Sequence, residues 1–124
     1  MGPVEFISFA RKLGRNQDEA SLRSAASRAY YGAFHFAGEK LEQLTANSAS
    51  PFEWSRVYKN HRQLRDQWAA RWGQAGQTVA NFLLLAHELR KKVDYDLHLV
   101  FTPEDKNEAF QFVAQALLAV RRVR

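Results

Sequence analysis

The stretch that decides the fold is S27-R-A-Y-Y-G-A-F-H35. It packs small residues, two tyrosines, an arginine and a histidine into nine positions. Extended outward, Leu22, Ala26, Ala29, Ala33, Ala37, Leu41 and Leu44 recur at steps of three and four, the period of one helix face. Many of these positions are alanine, and Gly32 and Gly38 keep the surface small, so a neighbouring helix can approach closely. The pattern predicts a long central helix from about 18 to 44.

The flanking segments read the same way. Val4, Phe6, Ile7, Phe9, Ala10 and Leu13 give an apolar face to a helix over 3–13, with Pro3 suited to its first turn and Gly14 to its end. Asn16 followed by Glu19 has the spacing of a capping box. TANSASP, 45–51, is a loop by composition. Trp54, Val57, Tyr58, Leu64, Trp68 and Trp72 alternate with basic residues and predict a helix over 55–72, broken by GQAG at 73–76. A further helix is expected over 77–93, from Val79, Phe82, Leu83, Ala86, Leu89, Arg90 and Val93. VDYDLHLVF, 93–101, interrupts the periodicity. Thr102-Pro103-Glu104-Asp105 is a helix start, with a capping hydroxyl, proline in the first turn and acids at the positive helix end. Ala109, Phe110, Val113, Ala116, Leu117 and Val120 carry the last helix, 103–120, which ends in arginines. The expectation is an all-α, up-and-down bundle of about five helices in one domain, 1–124.

Composition narrows the functional classes. The chain has 124 residues, is 46% hydrophobic and 25% charged, and contains no cysteine. Disulfides and thiolate metal sites are therefore excluded, which fits a cytoplasmic location. MGPVEF lacks the basic region and apolar run of a secretory signal. The densest apolar run, VANFLLLA at 79–86, is too short to span a membrane. A net charge of +5 favours a polyanion or an acidic partner.

The helix LRSAASRAYYGAFHFAGEKL, the later ELRKKVDYDL and the Thr-Pro-Glu-capped helix together resemble the HEPN family. The resemblance is to its compact prokaryotic branch, with S-R-A-Y-Y-A-x-F-H and R-x-x-A-D-Y elements. Here these read Ser27 to His35 and Arg90 to Tyr95, with Val93 in the alanine position. The resemblance spans about 4–120. It implies a small helical bundle that dimerises, in a toxin–antitoxin, CRISPR-linked or other defence system. It further implies RNA as partner, and for many members metal-independent endoribonuclease activity, with no cofactor. Other members lack catalysis and bind RNA, nucleotides or proteins, among them a small nucleotidyltransferase antitoxin.

The family's ribonuclease signature is an arginine, four to six residues, then a histidine, late in the bundle. Here Arg90 is present, but Asp94 and Tyr95 stand where the histidine would fall. His98 leaves seven residues between, one too many, and is the candidate for a displaced base. Arg28 and His35 have the right spacing, with six between, but lie early. Nearly two helical turns, about 10 Å, separate them. Side chains lean toward the helix N-terminus, so the two would meet only across a twofold axis. In such a site histidine would move protons and arginine would stabilise the phosphorane-like transition state, giving a 2′,3′-cyclic phosphate.

Bland readings stand beside these. Arg28 could pair with Asp94 or Asp96, His35 could bond a backbone carbonyl in the core, and Tyr30 and Tyr31 could simply pack. Tyr31, Asp94 and Tyr95 are candidate binding residues, and an interior network of Arg28 with Asp94 or Tyr95 would tie the two elements together. Arg56, Lys59, His61, Arg62 and Arg65, interleaved with aromatics, are candidates for an RNA-facing surface, since charge and stacking hold single strands. The alternative there is an amphipathic helix with core tryptophans and solvated arginines. No spacing matches a metal site.

Overall fold

A computed structural model of the chain describes residues 18–54, 60–95 and 101–123, with 92–95 described by backbone alone. The described residues are helical, with no strand among them: α1 (Glu19–Thr45), α2 (His61–Arg71), α3 (Gly73–Tyr95) and α4 (Pro103–Arg122). The helix expected over 3–13 lies outside the described residues.

The starts of α1, α2 and α4 are each set by a side-chain cap. Asp18 accepts from Ser21 N–H at 2.9 Å and begins α1. The capping box expected of Asn16 and Glu19 involves a residue outside those described; Glu19 is the first helical residue of α1. The Glu19 carboxylate accepts from Phe101 N–H at 3.1 Å and from Arg23 Nε at 3.0 Å. These donors hold its carboxyl below the usual range. Asn60 has extended backbone, and its side chain accepts from Gln63 N–H, so α2 begins at His61. A single helix over 55–72 is excluded by that cap. Thr102 forms a full capping box with Asp105, and Pro103 occupies the first turn, as the sequence implied.

The break at 73–76 is shorter than expected. Trp72 leaves helical geometry, Gly73 takes φ +54°, and α3 starts there. That left-handed backbone favours glycine, which has no Cβ to strain it. Gly76 then lets the helices close up: a Cβ there would collide with the Trp68 carbonyl. α3 also runs on to Tyr95, so the backbone of Asp94 and Tyr95 is helical.

Contacts fix the directions of the helices. Tyr30 meets His61 and Ala37 meets Trp68, so α1 and α2 advance together. Arg65 meets His87 while Trp68 lies against Gly76, so α3 opposes α2. Glu19 touches Phe101 at one end of α4 and Phe36 faces Arg121 at the other, so α4 runs with α1. Strict alternation thus holds for α2, α3 and α4 but not between α1 and α2. The return starts at Thr45, whose hydroxyl donates to Leu41 O and accepts from Phe52 N–H at 2.9 Å. Trp54 then lies on Gly38, where a Cβ would be 2.5 Å from the indole.

The main core joins the alanine face of α1 to Leu64 and Trp68 of α2, Val79 and Leu83 of α3, and Val113 and Ala116 of α4. Trp68 is fully buried and its Nε1–H donates to Ala37 O at 3.2 Å. Small residues on α1 leave room for this indole, as the sequence anticipated. A second cluster, Leu22, Ala26, Phe101 and Ala109, closes the end near the α1 cap. Among the described residues no helix is long and apolar enough to cross a membrane.

Candidate functional site: a histidine–tyrosine–arginine cluster

Three helices converge on one polar cluster beside this core. α1 supplies Tyr30, Tyr31 and His35, the last two stacked one turn apart. α2 supplies His61 and Arg65, one turn apart, and α3 supplies His87 and Arg90, three apart. The cluster forms because α1 presents its aromatic side where the first turn of α2 crosses the second half of α3.

Its centre is a pair of imidazoles. The rings of His61 and His87 stack with centroids 4.5 Å apart and planes within 9°. Phe34 covers His61 at 4.2 Å, and Tyr30 lies 5.5 Å from each imidazole. The Tyr30 hydroxyl meets His61 Nδ1 at 2.5 Å. Arg65 Nη1 meets His87 Nδ1 at 3.2 Å. Arg90 Nη2 donates to the Tyr31 hydroxyl at 2.6 Å, and its guanidinium lies 4.5 Å from the Tyr31 ring centroid.

These contacts decide the tautomers. Guanidinium only donates, so His87 Nδ1 accepts and its proton sits on Nε2. Tyr30 is 2% exposed, and burial pushes its phenol well above the ordinary tyrosine range despite Arg65 and Arg90. It keeps its proton, and a phenol this buried needs an acceptor; His61 Nδ1, its contact in the structure, accepts that bond and so carries its own proton on Nε2. Both imidazoles thus present N–H groups with their Nδ1 lone pairs engaged.

The same surroundings keep both rings neutral. Burial first, then His87, Arg90, Arg65 and His35, push the imidazolium of His61 down to about 4. His87 is also lowered, by burial, Arg65, Lys91 and Arg90, with Glu88 opposing. Glu88 is exposed and paired with Lys91 at 3.4 Å. Two N–H donors beside two guanidiniums and a tyrosine hydroxyl suit an oxyanion such as a phosphodiester. No group of three or more metal-type ligands occurs among the described residues.

The residues expected from the sequence separate into three sets. Tyr31, His35, His61, Arg65 and Arg90 meet in or beside the cluster. His35 is half-buried, 6.3 Å from the Tyr31 ring and 5.8 Å from Trp54. Arg28 is exposed on α1, and Arg62 is exposed with a long contact to Asp66 at 3.8 Å. His98, Arg56 and Lys59 lie outside the described residues, as do the side chains of Asp94 and Tyr95. The link seen between the two sequence elements is Tyr31 to Arg90.

Two members escaped the sequence reading. His87 hides behind the apolar run VANFLLLA, although it lies three residues before Arg90 on the same face. Tyr30 reads as a packing aromatic, and only its hydroxyl's contact with His61 reveals more. Compared with protein-family models, curated proteins and solved structures, the chain matches none.

Proposed function

We propose that this chain is an RNA-directed, HEPN-like helical protein of a prokaryotic toxin–antitoxin or defence system. The proposed site is the cluster, where a phosphodiester is held by the Nε2–H groups of His61 and His87 and by Arg90. The observation that carries this reading is the stacked imidazole pair of His61 and His87 with Arg65 and Arg90 in the same cluster, from whose contacts the Nε2–H tautomers are inferred. A bound anion is favourable in that field, and its charge raises the proton affinity of both rings. The excess of basic residues over the whole chain adds long-range attraction. A fifth helix and the HEPN assignment, the homodimer, a nucleotidyltransferase-type antitoxin and a cytoplasmic location belong to the same proposal and rest on the sequence resemblance.

Metal-independent RNA cleavage is the second reading, favoured by the 4.5 Å stacking of two imidazoles beside arginines. Once a phosphate raises its proton affinity, one imidazolium can protonate the leaving 5′-oxygen. The proton on the 2′-hydroxyl needs an acceptor with a lone pair. An imidazole Nδ1 serves only after Tyr30 or Arg65 releases it. Binding needs no such rearrangement, which is why it is placed first.

One titration separates the two. Labelled single-stranded RNA is mixed with protein in EDTA, anisotropy gives affinity, and a denaturing gel of the same samples gives cleavage. Wild type is expected to bind, with affinity falling as salt rises. Arg90→Gln and His87→Gln are each expected to weaken binding by about tenfold, on the scale of a hydrogen bond to a charged group. Full binding by both variants would remove the cluster from the account. Intact RNA at high protein concentration would leave only the binding reading.

A further inference from the structure

The outer face of α4 carries a regular stripe. Glu104, Glu108, Gln111, Gln115, Leu118 and Arg122 recur at alternating steps of four and three, and all six are exposed. That is the 3.5-residue period of a helix seam that lies against a second helix. None of the six belongs to the core, and α4 supplies no member of the histidine–tyrosine–arginine cluster. Beside the stripe runs a groove between α4 and α3. One part has a volume of about 730 Å³ and is lined by Phe82, Phe112 and the stripe from Glu104 to Gln115. It continues into a part of about 150 Å³ against Thr78, Ala119 and Arg122, with Phe82 and Gln115 common to both. Leu85, three residues beyond Phe82, is 42% exposed, and Leu118 is 44% exposed.

The stripe complements itself when reversed. Glu104 and Arg122 lie nine residues either side of Val113, Glu108 and Leu118 five, and Gln111 and Gln115 two. A second copy turned end over end about an axis level with Val113 sets its Arg122 against Glu104 and its Gln115 against Gln111. Its Leu118 falls level with Glu108, over the groove beside Phe82 and Phe112. Each contact is made twice, as a twofold axis requires. Glu104 and Arg122 stand about 27 Å apart along one helix, so this pair forms only between chains. A parallel pairing would set acid against acid and arginine against arginine. The antiparallel one also opposes the two helix dipoles.

We propose that two copies of this chain associate through this face, α4 against α4 in opposite directions. The inference deepens the homodimer of the function proposed above and rests on it, but needs no RNA. Charge complementarity selects the occupant: the acidic start of the stripe and its basic end are each matched by the other end of an identical chain. The exposed Leu118 of each copy is covered by the groove of the other. The cluster is built by α1, α2 and α3 within one chain, so each copy keeps a whole cluster. Association and RNA binding are therefore separable.

The test is sedimentation velocity of the full chain over a range of concentrations. Wild type is expected to dimerise. Leu118→Asp should weaken the dimer by about tenfold or more, since an apolar contact made twice is lost. Glu104→Arg and Arg122→Glu should each weaken it by about tenfold, because each sets like charges opposite one another at two places. The double variant Glu104→Arg with Arg122→Glu exchanges the two charges and should regain wild-type association. A wild type that stays monomeric at every concentration overturns both the surface and the homodimer. A dimer as strong in Leu118→Asp and in both single charge variants as in wild type overturns the surface and leaves the homodimer standing. A double variant no stronger than the single ones overturns the antiparallel pairing. Oligouridylate anisotropy on the same samples reads the cluster separately, and Leu118→Asp should keep the wild-type affinity per chain. Loss of that affinity together with the dimer would overturn the separation of interface and cluster.

Discussion

Acid should loosen this fold through His61 in a measurable way. The unfolded imidazole titrates at 6.5, while the folded one is pushed down to about 4. A depressed folded value means the unfolded state binds the proton first. The stability linked to His61 is therefore fully present above 6.5 and is lost as pH falls toward 4. Taken at face value the gap is a ceiling of about 3 kcal/mol. His61 is only half-covered, so solvent screening reduces the expected loss to about 1–2 kcal/mol. For a chain of this length that is roughly 4–8 °C in melting temperature. The groups facing the ring are Tyr30 and His35 from α1, Arg65 from α2, and His87 and Arg90 from α3. The assay is thermal melting followed by circular dichroism from pH 7 down to ~4.5, for wild type and His61→Gln. Asp18, Glu19 and His87 titrate in both proteins, so the difference isolates His61. The two curves should converge as pH falls. Parallel curves would refute the claim that His61 is held neutral by its surroundings.

Other perturbations probe the packing that carries the cluster. Trp68→Ala removes a fully buried indole and should cost about 3–5 kcal/mol in a denaturant melt, with α2 most affected. Thr102→Ala deletes one half of the capping box and should cost about 1 kcal/mol, without altering RNA affinity. Gly38→Leu drives a side chain into the Trp54 indole and should destabilise the chain by about 1–3 kcal/mol, read from the same melts.

The all-helical character was legible because the alanine face of α1 and the cap at Thr102 are local signals. The limits of α2 and α3 were harder to read. Asn60 looked like one polar residue among many, yet its side chain caps the start of α2. Trp72 and Gly73 carry the whole break between them, because one left-handed residue after a non-helical one turns the chain without a longer loop. The shared direction of α1 and α2 depends on where Thr45, Phe52 and Trp54 dock, which no periodicity records.

The site was half legible. Arg90, Tyr31, His35, His61 and Arg65 each stood out by residue type. The pairing of Arg28 with His35 was suggested by spacing, but spacing along one helix does not say which residues other helices bring near. His87 and the Tyr30 hydroxyl acquire meaning only from the 4.5 Å stack and the contact between Tyr30 and His61. Tautomer and charge state follow from partners 31 and 22 residues distant in sequence and cannot be read locally.

The central claim is that His61 and His87 present Nε2–H groups to a phosphodiester. Nitrogen-15 NMR of the imidazoles, with and without a non-hydrolysable dinucleotide, tests it directly. Both rings should appear as the Nε2–H tautomer in the free protein. The pKa of each should rise when the dinucleotide binds, because the bound phosphate favours the protonated ring. An Nδ1–H tautomer in either ring, or imidazole titrations unchanged at saturating dinucleotide, would contradict the account.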